Sequence, residues 1–433
     1  MSKVVVIGGC GRLGLRLSLI AANKGHNVTA IDIDDERINE IKHGSLPFIE
    51  QGAEVYLEQA LKNKALKLGL EYDVVSQADI VIITIGTPVD SNLNPSLEPV
   101  AGAIFDISGY LKRNQLIIFR NTLSPIILNR IKTLIEDKTG FKTGKDIYLA
   151  FAPELTNENG NIHDILTSLQ PIGAFEKESF KAAEKFFKTI TKGKISWLTP
   201  EEALIAKLIK NMNSYIQAAW ANESYFIAES FGANIHKILD AIETEAQSMK
   251  QETHASYLIP HASVLKNPNP NNGGPGMHKE GWFLLDKTPF NELITSAFKI
   301  NESMPSQIIK KLQNYKINKV AILGMTNKAD SDDARSSLSY KLRKALFYQD
   351  YDVACYDQHL PEYSDPSVLQ NVDALILMTP HKGFRNLTDV LKLVKRPNCL
   401  IIDLHGFWKE TRENGVNGIL QLENLKQKVK NKK

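Results

Sequence analysis

The sequence predicts an α/β protein with two Rossmann-like, doubly wound parallel sheets joined by a central helical domain that contains one long helix. Short apolar segments alternate with helical patterns in the first third of the chain, and the same alternation returns near residue 319. Between them, residues 203–231 carry helical periodicity without a breaker. Alternating short strands and helices are typical of parallel sheets covered by helices on both faces.

The first sheet is expected from short apolar segments at 4–7, 28–33, 80–85, 116–119 and 147–151. A helix over 13–24, ended by Gly25, follows the first of them. The second sheet is expected from 319–323, 353–356, 374–377 and 400–403. The resulting domains are 1–198, which binds a dinucleotide, 199–305, which is helical, and 306–433, which is a second Rossmann-like unit.

Composition excludes several classes of protein. The chain has 433 residues, 43% of them hydrophobic, and a formal net charge of +3, which argues against a nucleic-acid or membrane partner. No signal-peptide pattern and no apolar run of about 18 residues occurs. Cys10, Cys355 and Cys399 form no pair or metal spacing, so we expect a reducing cytoplasm and no metal site.

A glycine-rich loop follows the first strand. Gly9, Gly11 and Gly14 fit the pattern GxGxxG, directly before a helix whose free N–H groups favour pyrophosphate. Asp32, at the end of the second strand, is placed to bind the ribose and repels a 2′-phosphate, so NAD is expected rather than NADP. The alternative is a structural turn that has lost its ligand. Cys10 is expected to be a small loop residue without a redox role.

Candidate chemistry lies on two segments. Lys207 and Asn211 are four residues apart on the long helix and share one face. A desolvated lysine can take the proton of an alcohol as hydride leaves, whereas a solvated lysine is the alternative. Glu154 and Glu158 follow a strand, where open α/β sheets place ligands. Glu154 is therefore either an acid/base residue or a surface acid.

The Asn-, Pro- and Gly-rich segment 267–276 is predicted to be a loop. A stiff loop of this kind inside a helical domain is either functional or a plain connector.

Several further segments carry recognisable motifs, in chain order: VIGGCGRLGL at 6–15, LPFIE at 46–50, IGTPVD at 85–90, NT at 121–122, FAPE at 151–154 followed by Glu158 and Gly160, AKLIKN at 206–211, GGPGMHKE at 273–280, and Asn327-Lys328 with DDAR at 332–335. These resemble the UDP-glucose/GDP-mannose dehydrogenase family over nearly the whole length, and most closely its UDP-N-acetylmannosamine dehydrogenase-like branch. The family counterparts include SPFxEPG, VGTPVD, STV, CPExxxEG, KLxxN, GGxCxxKD and FKxxTDDxR.

The resemblance implies roles for matching residues. Thr87 and Thr122 would contact NAD, Glu154 would be an acid/base residue with Glu158 near NAD, and Lys207 with Asn211 would handle the oxidised oxygen. Further cofactor contacts are expected from Arg12, Leu13, Arg37 and Arg335. Substrate contacts are expected from Lys328, His261, Gly273, Gly276, Lys279, Glu280 and His405.

The chain departs from the family at one decisive position. Family members typically oxidise the C6 hydroxyl of a nucleotide-sugar twice with two NAD, the second time through a thioester on the cysteine of GGxCxxKD. Gly276 stands at that position, while Lys279 is retained and Glu280 replaces the aspartate. Without a thiolate no thiohemiacetal forms, so a second oxidation could proceed only slowly through a hydrated aldehyde.

Two further differences affect substrate binding. His261 stands where the family has an arginine that reaches the neighbouring subunit's substrate, and His405 stands at the arginine of its DxRN motif. An imidazole can contact phosphate but lacks the bidentate guanidinium fork.

The leading hypothesis is an NAD-dependent oxidoreductase that oxidises a nucleotide-sugar, or a similar phosphorylated polyol, once, to an aldehyde or ketone. A second hypothesis keeps the four-electron oxidation to a uronic acid by a cysteine-free route. A third is an NAD-binding pseudoenzyme with a regulatory or binding role. The long helix is also expected to form a homodimer surface.

Overall fold

The computed structural model describes residues 1–90, 95–156, 162–252, 266–285, 288, 290–396, 398–415 and 418–421. The chain forms two compact units, one of Met1–Lys210 with Lys279–Thr288 and one of Asn211–His278 with Pro289–Lys433. This division falls inside the long helix, so the predicted domain boundaries after residues 198 and 305 stay predictions.

The first unit contains an eight-stranded sheet in the order β3-β2-β1-β4-β5-β6-β7-β8, in which only the β6–β7 pair is antiparallel. Its strands are β1 (Lys3–Ile7), β2 (Asn27–Ile31), β3 (Leu66–Gly69), β4 (Ile80–Ile83), β5 (Leu116–Phe119), β6 (Tyr148–Phe151), β7 (Gln170–Gly173) and β8 (Ile195–Leu198). Its first seven helices are α1 (Arg12–Asn23), α2 (Asp35–Lys42), α3 (Ala53–Lys62), α4 (Glu98–Ser108), α5 (Leu128–Thr139), α6 (Asp164–Thr167) and α7 (Lys177–Ile190).

The central strands are buried on both faces, which explains why they are apolar without alternation. β4 reads IVII and β5 reads LIIF, and every one of their residues is buried. Even residues of these strands contribute to a core with α1, α3 and α7, and odd residues to a core with α4 and α5. The sheet therefore holds its carboxyl edge rigidly, with helices on both sides.

The helix α8 (Pro200–Ser230) confirms the predicted long helix. A capping box begins it, because the Thr199 hydroxyl accepts from the Glu202 N–H at 3.2 Å and Glu202 Oε2 accepts from the Thr199 N–H at 2.8 Å. Pro200 occupies the first helical position, where no N–H is required. Among the described residues, no helix is both long and apolar enough to span a bilayer.

The second unit contains a five-stranded sheet in the order β10-β9-β11-β12-β13, parallel except for the β12–β13 pair. Its strands are β9 (Lys319–Leu323), β10 (Asp352–Tyr356), β11 (Ala374–Leu377), β12 (Leu400–Ile402) and β13 (Ile419–Gln421). The remaining helices of the chain are α9 (Ile235–Glu252), α10 (Pro275–Lys279), α11 (Trp282–Leu285), α12 (Glu292–Leu312), α13 (Leu338–Phe347), α14 (Leu387–Val394) and α15 (Lys409–Asn414). The prediction of two Rossmann-like sheets and a long helix is confirmed.

Three predicted boundaries are wrong, and the first is that of β4, which ends at Ile83 and not at residue 85. β2 ends at Ile31, not residue 33, because the Asp32 carboxylate accepts the Ile33 N–H at 2.9 Å, and Ile33 itself is 89% exposed. The predicted loop 267–276 ends at Gly274, since Pro275 starts α10. Gly276 therefore lies on a short helix.

Candidate functional site

The glycine loop between β1 and α1 has the geometry of a dinucleotide cradle. A Cβ on Gly14 would lie 2.2 Å from Gly8 O, and one on Gly9 would lie 2.6 Å from the Ala30 Cβ, so both positions require glycine. At Gly11, by contrast, the nearest atom to an added Cβ is 3.4 Å away. Gly11 is the N-cap of α1, whose first N–H groups have no partner inside the helix.

Asp32 follows β2 directly and faces this loop. Its Oδ2 accepts the Cys10 N–H at 2.9 Å, which ties the loop to the second strand. Asp32 also lines a pocket of about 410 Å³ with Gly8, Gly11 and residues 84–86 after β4. The pocket lies at the carboxyl edge where the strand order reverses between β1 and β4, the usual ligand position in open α/β sheets. The chain's own residues therefore fit NAD.

Two predicted cofactor contacts and one loop residue meet beside this edge. The Thr87 hydroxyl donates to Thr122 O at 2.5 Å, and the ammonium of Lys279 donates to Thr87 O. Lys279, from the segment that resembles GGxCxxKD, is thus brought to the predicted Thr87 contact. Arg12 lies over the Phe48 ring at 4.7 Å, whereas Arg37 forms an exposed ion pair with Asp34.

Glu154 lies in a buried network of charges, not on the surface. Its side chain is 7% exposed, its Oε1 accepts from Arg16 Nη1 at 2.8 Å, and its Oε2 lies 3.4 Å from Arg120 Nη2. The Thr156 hydroxyl also donates to Oε1. Burial alone would raise the pKa of Glu154, but the attraction of Arg16 and Arg120 outweighs it and holds this pKa below its ordinary value.

Glu50 is the fourth charge of this network, and its environment differs. Arg16 Nε lies 2.9 Å from Glu50 Oε1, and both side chains are at most 2% exposed. Neither Glu50 oxygen accepts a hydrogen bond within the part of the chain that the structure describes. Burial therefore prevails over the attraction of Arg16 and raises the pKa of Glu50 to about 7.

Lys207 lies close enough to Glu154 to stabilise its charge, and it is only 7% exposed. Of the two alternatives that the sequence left open, this burial favours the desolvated lysine over the solvated one. Lys210, one turn further along α8, donates to Leu155 O. Burial, and then repulsion by Lys207, lowers the pKa of Lys210. Asn211 is half-buried on the same helix, one turn after Lys207.

In the second unit, the Asn-rich loop is fixed by amide hydrogen bonds. Asn271 is 2% exposed, and its Nδ2 donates to Thr326 O and the Thr379 hydroxyl, both at 2.8 Å. Its Oδ1 accepts the Leu338 N–H at 2.7 Å. A Cβ on Gly273 would lie 2.1 Å from Ser336 O, so this glycine is required where the loop touches the chain beside α13. The loop is therefore held firmly against the second sheet.

This loop lines a pocket of about 530 Å³ at the carboxyl edge of the second sheet. Lys266, Lys328 and His405 contribute to the pocket, together with several asparagines. His405 Nε2 donates to the Met378 carbonyl at 3.0 Å, and burial lowers its pKa despite the opposing effect of Asp403. A neutral imidazole with its hydrogen on Nε2 leaves Nδ1 as an acceptor, so it offers no donor to a phosphate.

Arg335 lies in the segment between β9 and α13. Its guanidinium forms a bidentate pair with Asp333, at 2.8 Å from Nε and 2.7 Å from Nη2.

Asp330, His359 and His381 offer possible metal-ligand atoms within 4.8 Å of one another. His381, however, accepts the Asp330 N–H on Nδ1 at 2.9 Å and donates from Nε2 to Asp357 at 3.0 Å. Both nitrogens of this histidine are therefore used within the fold, and its lone pair is not available to an ion.

The family resemblance leads us to expect a thiol at position 276, where Gly276 stands, and the cysteines of the sequence lie elsewhere. All three cysteines of the sequence are buried, and each carries a raised pKa, with burial as the main cause. The pKa of Cys10 is raised to about 12, where thiolate is negligible at neutral pH. Gly276 is half-buried on α10, and Glu280, which follows that helix, is 3% exposed.

Two predicted site residues, Glu158 and His261, lie outside the described residues. Conversely, sequence reasoning missed Arg16, Arg120, Lys210 and the role of Glu50. Arg16 directly follows the motif at 6–15, and Arg120 directly precedes the motif at 121–122. Their positions beside these motifs could have indicated that they belong to the site. The long sequence separation of Arg16 from Glu154 hid their pairing.

Comparison with known proteins agrees with this geometry. Residues 2–191 match the NAD binding domain of the UDP-glucose/GDP-mannose dehydrogenase family, and residues 321–410 match its UDP binding domain. The chain is 29% identical to UDP-N-acetyl-D-mannosamine dehydrogenase of Methanococcus vannielii over 95% of both chains. Among solved structures it is similar to UDP-D-ManNAc dehydrogenase from Pyrococcus horikoshii, with a TM-score of 0.82 and 26% identity over 93% of this chain and 94% of that one.

The UDP-N-acetyl-mannosamine dehydrogenase of Staphylococcus aureus is also similar, with a TM-score of 0.80 and 25% identity over 94% of this chain and 95% of that one. The two family domains together cover nearly two thirds of the sequence, and the first of them contains the glycine cradle and Asp32. The cofactor of this cradle is NAD. The chain belongs to the UDP-glucose/GDP-mannose dehydrogenase family.

Proposed function

We propose that the protein is an NAD-dependent oxidoreductase that oxidises one hydroxyl group of a nucleotide-sugar in a single two-electron step. The observation that carries the single step is Gly276, which stands where the family's thioester chemistry requires a cysteine. With Cys10, Cys355 and Cys399 all buried, no other thiol can substitute without unfolding its surroundings.

The first unit supplies the oxidising half of the reaction. The N–H groups at the start of α1 would hold the pyrophosphate, and Asp32 would accept hydrogen bonds from the ribose hydroxyls. NAD, when bound, accepts a hydride. Asp32 carries the negative charge that disfavours a 2′-phosphate, which supports NAD over NADP.

Lys207 and Asn211, one turn apart on α8, are the groups that we propose for the reacting oxygen. Lys207 is buried, so its amine is shielded from bulk water and exchanges a proton with the reacting oxygen directly. The carboxamide of Asn211 can donate to the oxygen throughout the reaction. The second unit would hold the nucleotide in the pocket that Lys266 and Lys328 line, where ammonium groups suit a diphosphate.

Relatives suggest which substrates should be tested first. Several are named for UDP-N-acetyl-D-mannosamine, and others for GDP-mannose or UDP-glucose. We therefore propose a UDP-linked N-acetylated sugar as the leading substrate class. His405 supports this substrate class, because its Nδ1 would accept a hydrogen bond from a hydroxyl or amide group of the ligand. We also propose a homodimer through α8, as the sequence predicts.

The deciding experiment measures NADH formed per molecule of nucleotide-sugar consumed, with a carbonyl-reactive trap and mass spectrometry of the product. We expect one NADH per substrate and a trapped aldehyde or ketone. Two NADH with a carboxylate product would refute the single step and indicate a cysteine-free four-electron route. NAD binding without NADH formation from any of the nucleotide-sugars tested would indicate a pseudoenzyme.

A further inference from the structure

We propose that Arg16 and Arg120 hold Glu154 as a permanent carboxylate, so that Glu154 orients charge in the candidate site but exchanges no proton, and that proton transfer falls to Lys207. This inference rests on the proposed oxidoreductase function. It assigns two arginines a positioning role and removes Glu154 from the acid/base role that the family resemblance implies.

The geometry leaves little room for a proton on Glu154. Oε1 receives Arg16 Nη1 and the Thr156 hydroxyl, and Oε2 faces Arg120 Nη2. A hydrogen on Oε2 would face the guanidinium of Arg120, which cannot accept it, and a hydrogen on Oε1 would have only the Thr156 hydroxyl as an acceptor, next to the guanidinium of Arg16. Protonation would therefore break a charge-assisted hydrogen bond inside a buried site.

Arg120 is itself firmly positioned. Its Nη1 donates to Ala152 O at 2.9 Å and to Gln170 Oε1 at 2.5 Å, and its guanidinium lies 5.5 Å from the centre of the Phe187 ring. The Ala152 carbonyl precedes Glu154 by two residues, so one guanidinium fixes both the backbone and the carboxylate. A fixed guanidinium loses little further entropy when it binds the carboxylate.

Glu50 provides an internal comparison. Its side chain is as deeply buried as that of Glu154, but among the described residues it pairs with Arg16 alone; Arg12 also attracts it, and Glu154 and Asp164 repel it. The groups facing Glu154 are Arg16, Arg120, Thr156 and Lys207, and Lys210 and the Glu50 carboxyl are also near enough to interact with it. The pKa of Glu50 is raised while that of Glu154 is lowered, so the further partners of Glu154, of which Arg120 has the largest effect after Arg16, outweigh burial where those of Glu50 do not.

For the reaction, the consequence is that Glu154 does not accept the proton of the substrate hydroxyl. As the hydroxyl O–H bond of the substrate breaks and hydride passes to NAD, the proton passes to the amine of Lys207, and the ammonium so formed is stabilised by the nearby carboxylate of Glu154. The carboxylate stabilises that ammonium without accepting its proton. Glu154 thus makes Lys207 a better proton acceptor by electrostatics alone.

The direct test is a carboxyl ¹³C NMR titration of the full chain labelled at glutamate Cδ, with Glu154→Gln to assign the resonance. We expect the Glu154 signal to stay at the ionised position between about pH 5 and pH 8. In Arg120→Met the signal should titrate within that range, whereas Arg120→Lys should keep it ionised. A wild-type Glu154 that titrates there overturns the proposal, and so does an Arg120→Met spectrum like that of the wild type.

The wild-type spectrum and Arg120→Lys decide the question even if Arg120→Met does not fold. A second readout is the pH dependence of kcat/KM with any nucleotide-sugar that yields NADH. Glu154→Gln should lower kcat and retain an ascending limb, displaced in pH because the neighbouring negative charge is gone, and Arg120→Met should add a limb from the restored carboxyl titration. Loss of the wild-type limb in Glu154→Gln would show that Glu154 carries the proton. Absence of NADH with every substrate refutes the proposed function, and the NMR result still stands on its own.

Discussion

Glu50 shows how one missing partner changes the behaviour of a buried acid. Its folded-state pKa of about 7 lies above the ordinary value of a glutamate, so the folded protein binds a proton that the unfolded chain releases. The stability that this proton contributes is fully present below the unfolded pKa, and it is lost as the pH rises to about 7. The full effect is on the order of 3 kcal/mol.

We therefore predict that Glu50→Gln removes part of the pH dependence of unfolding. Glutamine resembles the protonated form, so the stability of the variant relative to the wild type should rise between about pH 5 and pH 8. Urea titrations at several pH values would measure this slope. Glu58→Gln, at an exposed position on α3, is the matched control and should leave the slope unchanged. A parallel pair of curves for Glu50→Gln and wild type would contradict the assignment.

Glu154 also shows which features of a single site residue can be predicted from sequence motifs and which cannot. Its place after β6 follows from the sequence, because strand ends can be recognised from apolar runs followed by polar residues. Its partners do not follow, since Arg16 is separated from it by 138 residues and only the three-dimensional fold brings the two together. The same holds for Lys279 and Thr87, which are 192 residues apart.

At the scale of elements, two glycines of one loop have separable duties. An added Cβ at Gly14 collides with the Gly8 carbonyl at 2.2 Å, but at Gly11 it has 3.4 Å of clearance within the protein. Gly14→Ala should therefore destabilise the first unit by about 1–3 kcal/mol, in the manner of an overpacked core. Gly11→Ala should leave the unfolding midpoint nearly unchanged. It should lower the affinity for NAD, because the added methyl group would lie at the N-terminus of α1, where the pyrophosphate is expected to bind.

Thermal unfolding and NAD calorimetry on the two variants test this division. We expect at least a tenfold loss of NAD affinity in Gly11→Ala at unchanged stability, equivalent to about 1.4 kcal/mol. Equal NAD affinity in Gly11→Ala and the wild type would show that the loop does not hold the pyrophosphate.

Element prediction succeeded where burial makes a strand uniformly apolar and failed where it does not. β4, β5 and β9 were predicted because the central positions of both sheets exclude polar residues. β3 (LKLG), β7 (QPIG) and β8 (ISWL) were missed, since four residues of mixed polarity away from the sheet centre carry no distinctive period. β13 is three residues long and pairs antiparallel, so only its partner β12 defines it.

For the whole molecule, the two units present pockets of different chemistry. The pocket of the first unit is lined by glycines, apolar residues and the carboxylates of Asp32 and Asp106, whereas that of the second contains lysines, asparagines and a neutral histidine. The first pocket offers a helix N-terminus to the diphosphate of one ligand, and the second offers lysine ammonium groups to the diphosphate of the other. The two ligands should therefore protect separate parts of the chain.

We predict that NAD slows hydrogen–deuterium exchange in segments 8–15 and 84–86, while UDP slows it in segments 266–272 and 327–329. Binding stabilises the backbone around each ligand, so the protected peptides report the site directly. Lys266→Met should weaken the effect of UDP and leave that of NAD unchanged, because the ammonium neutralises phosphate charge only in the second pocket. Gly11→Ala should do the opposite. If UDP protected the glycine loop instead, or if Lys266→Met reduced both effects equally, the assignment of one ligand to each unit would be wrong.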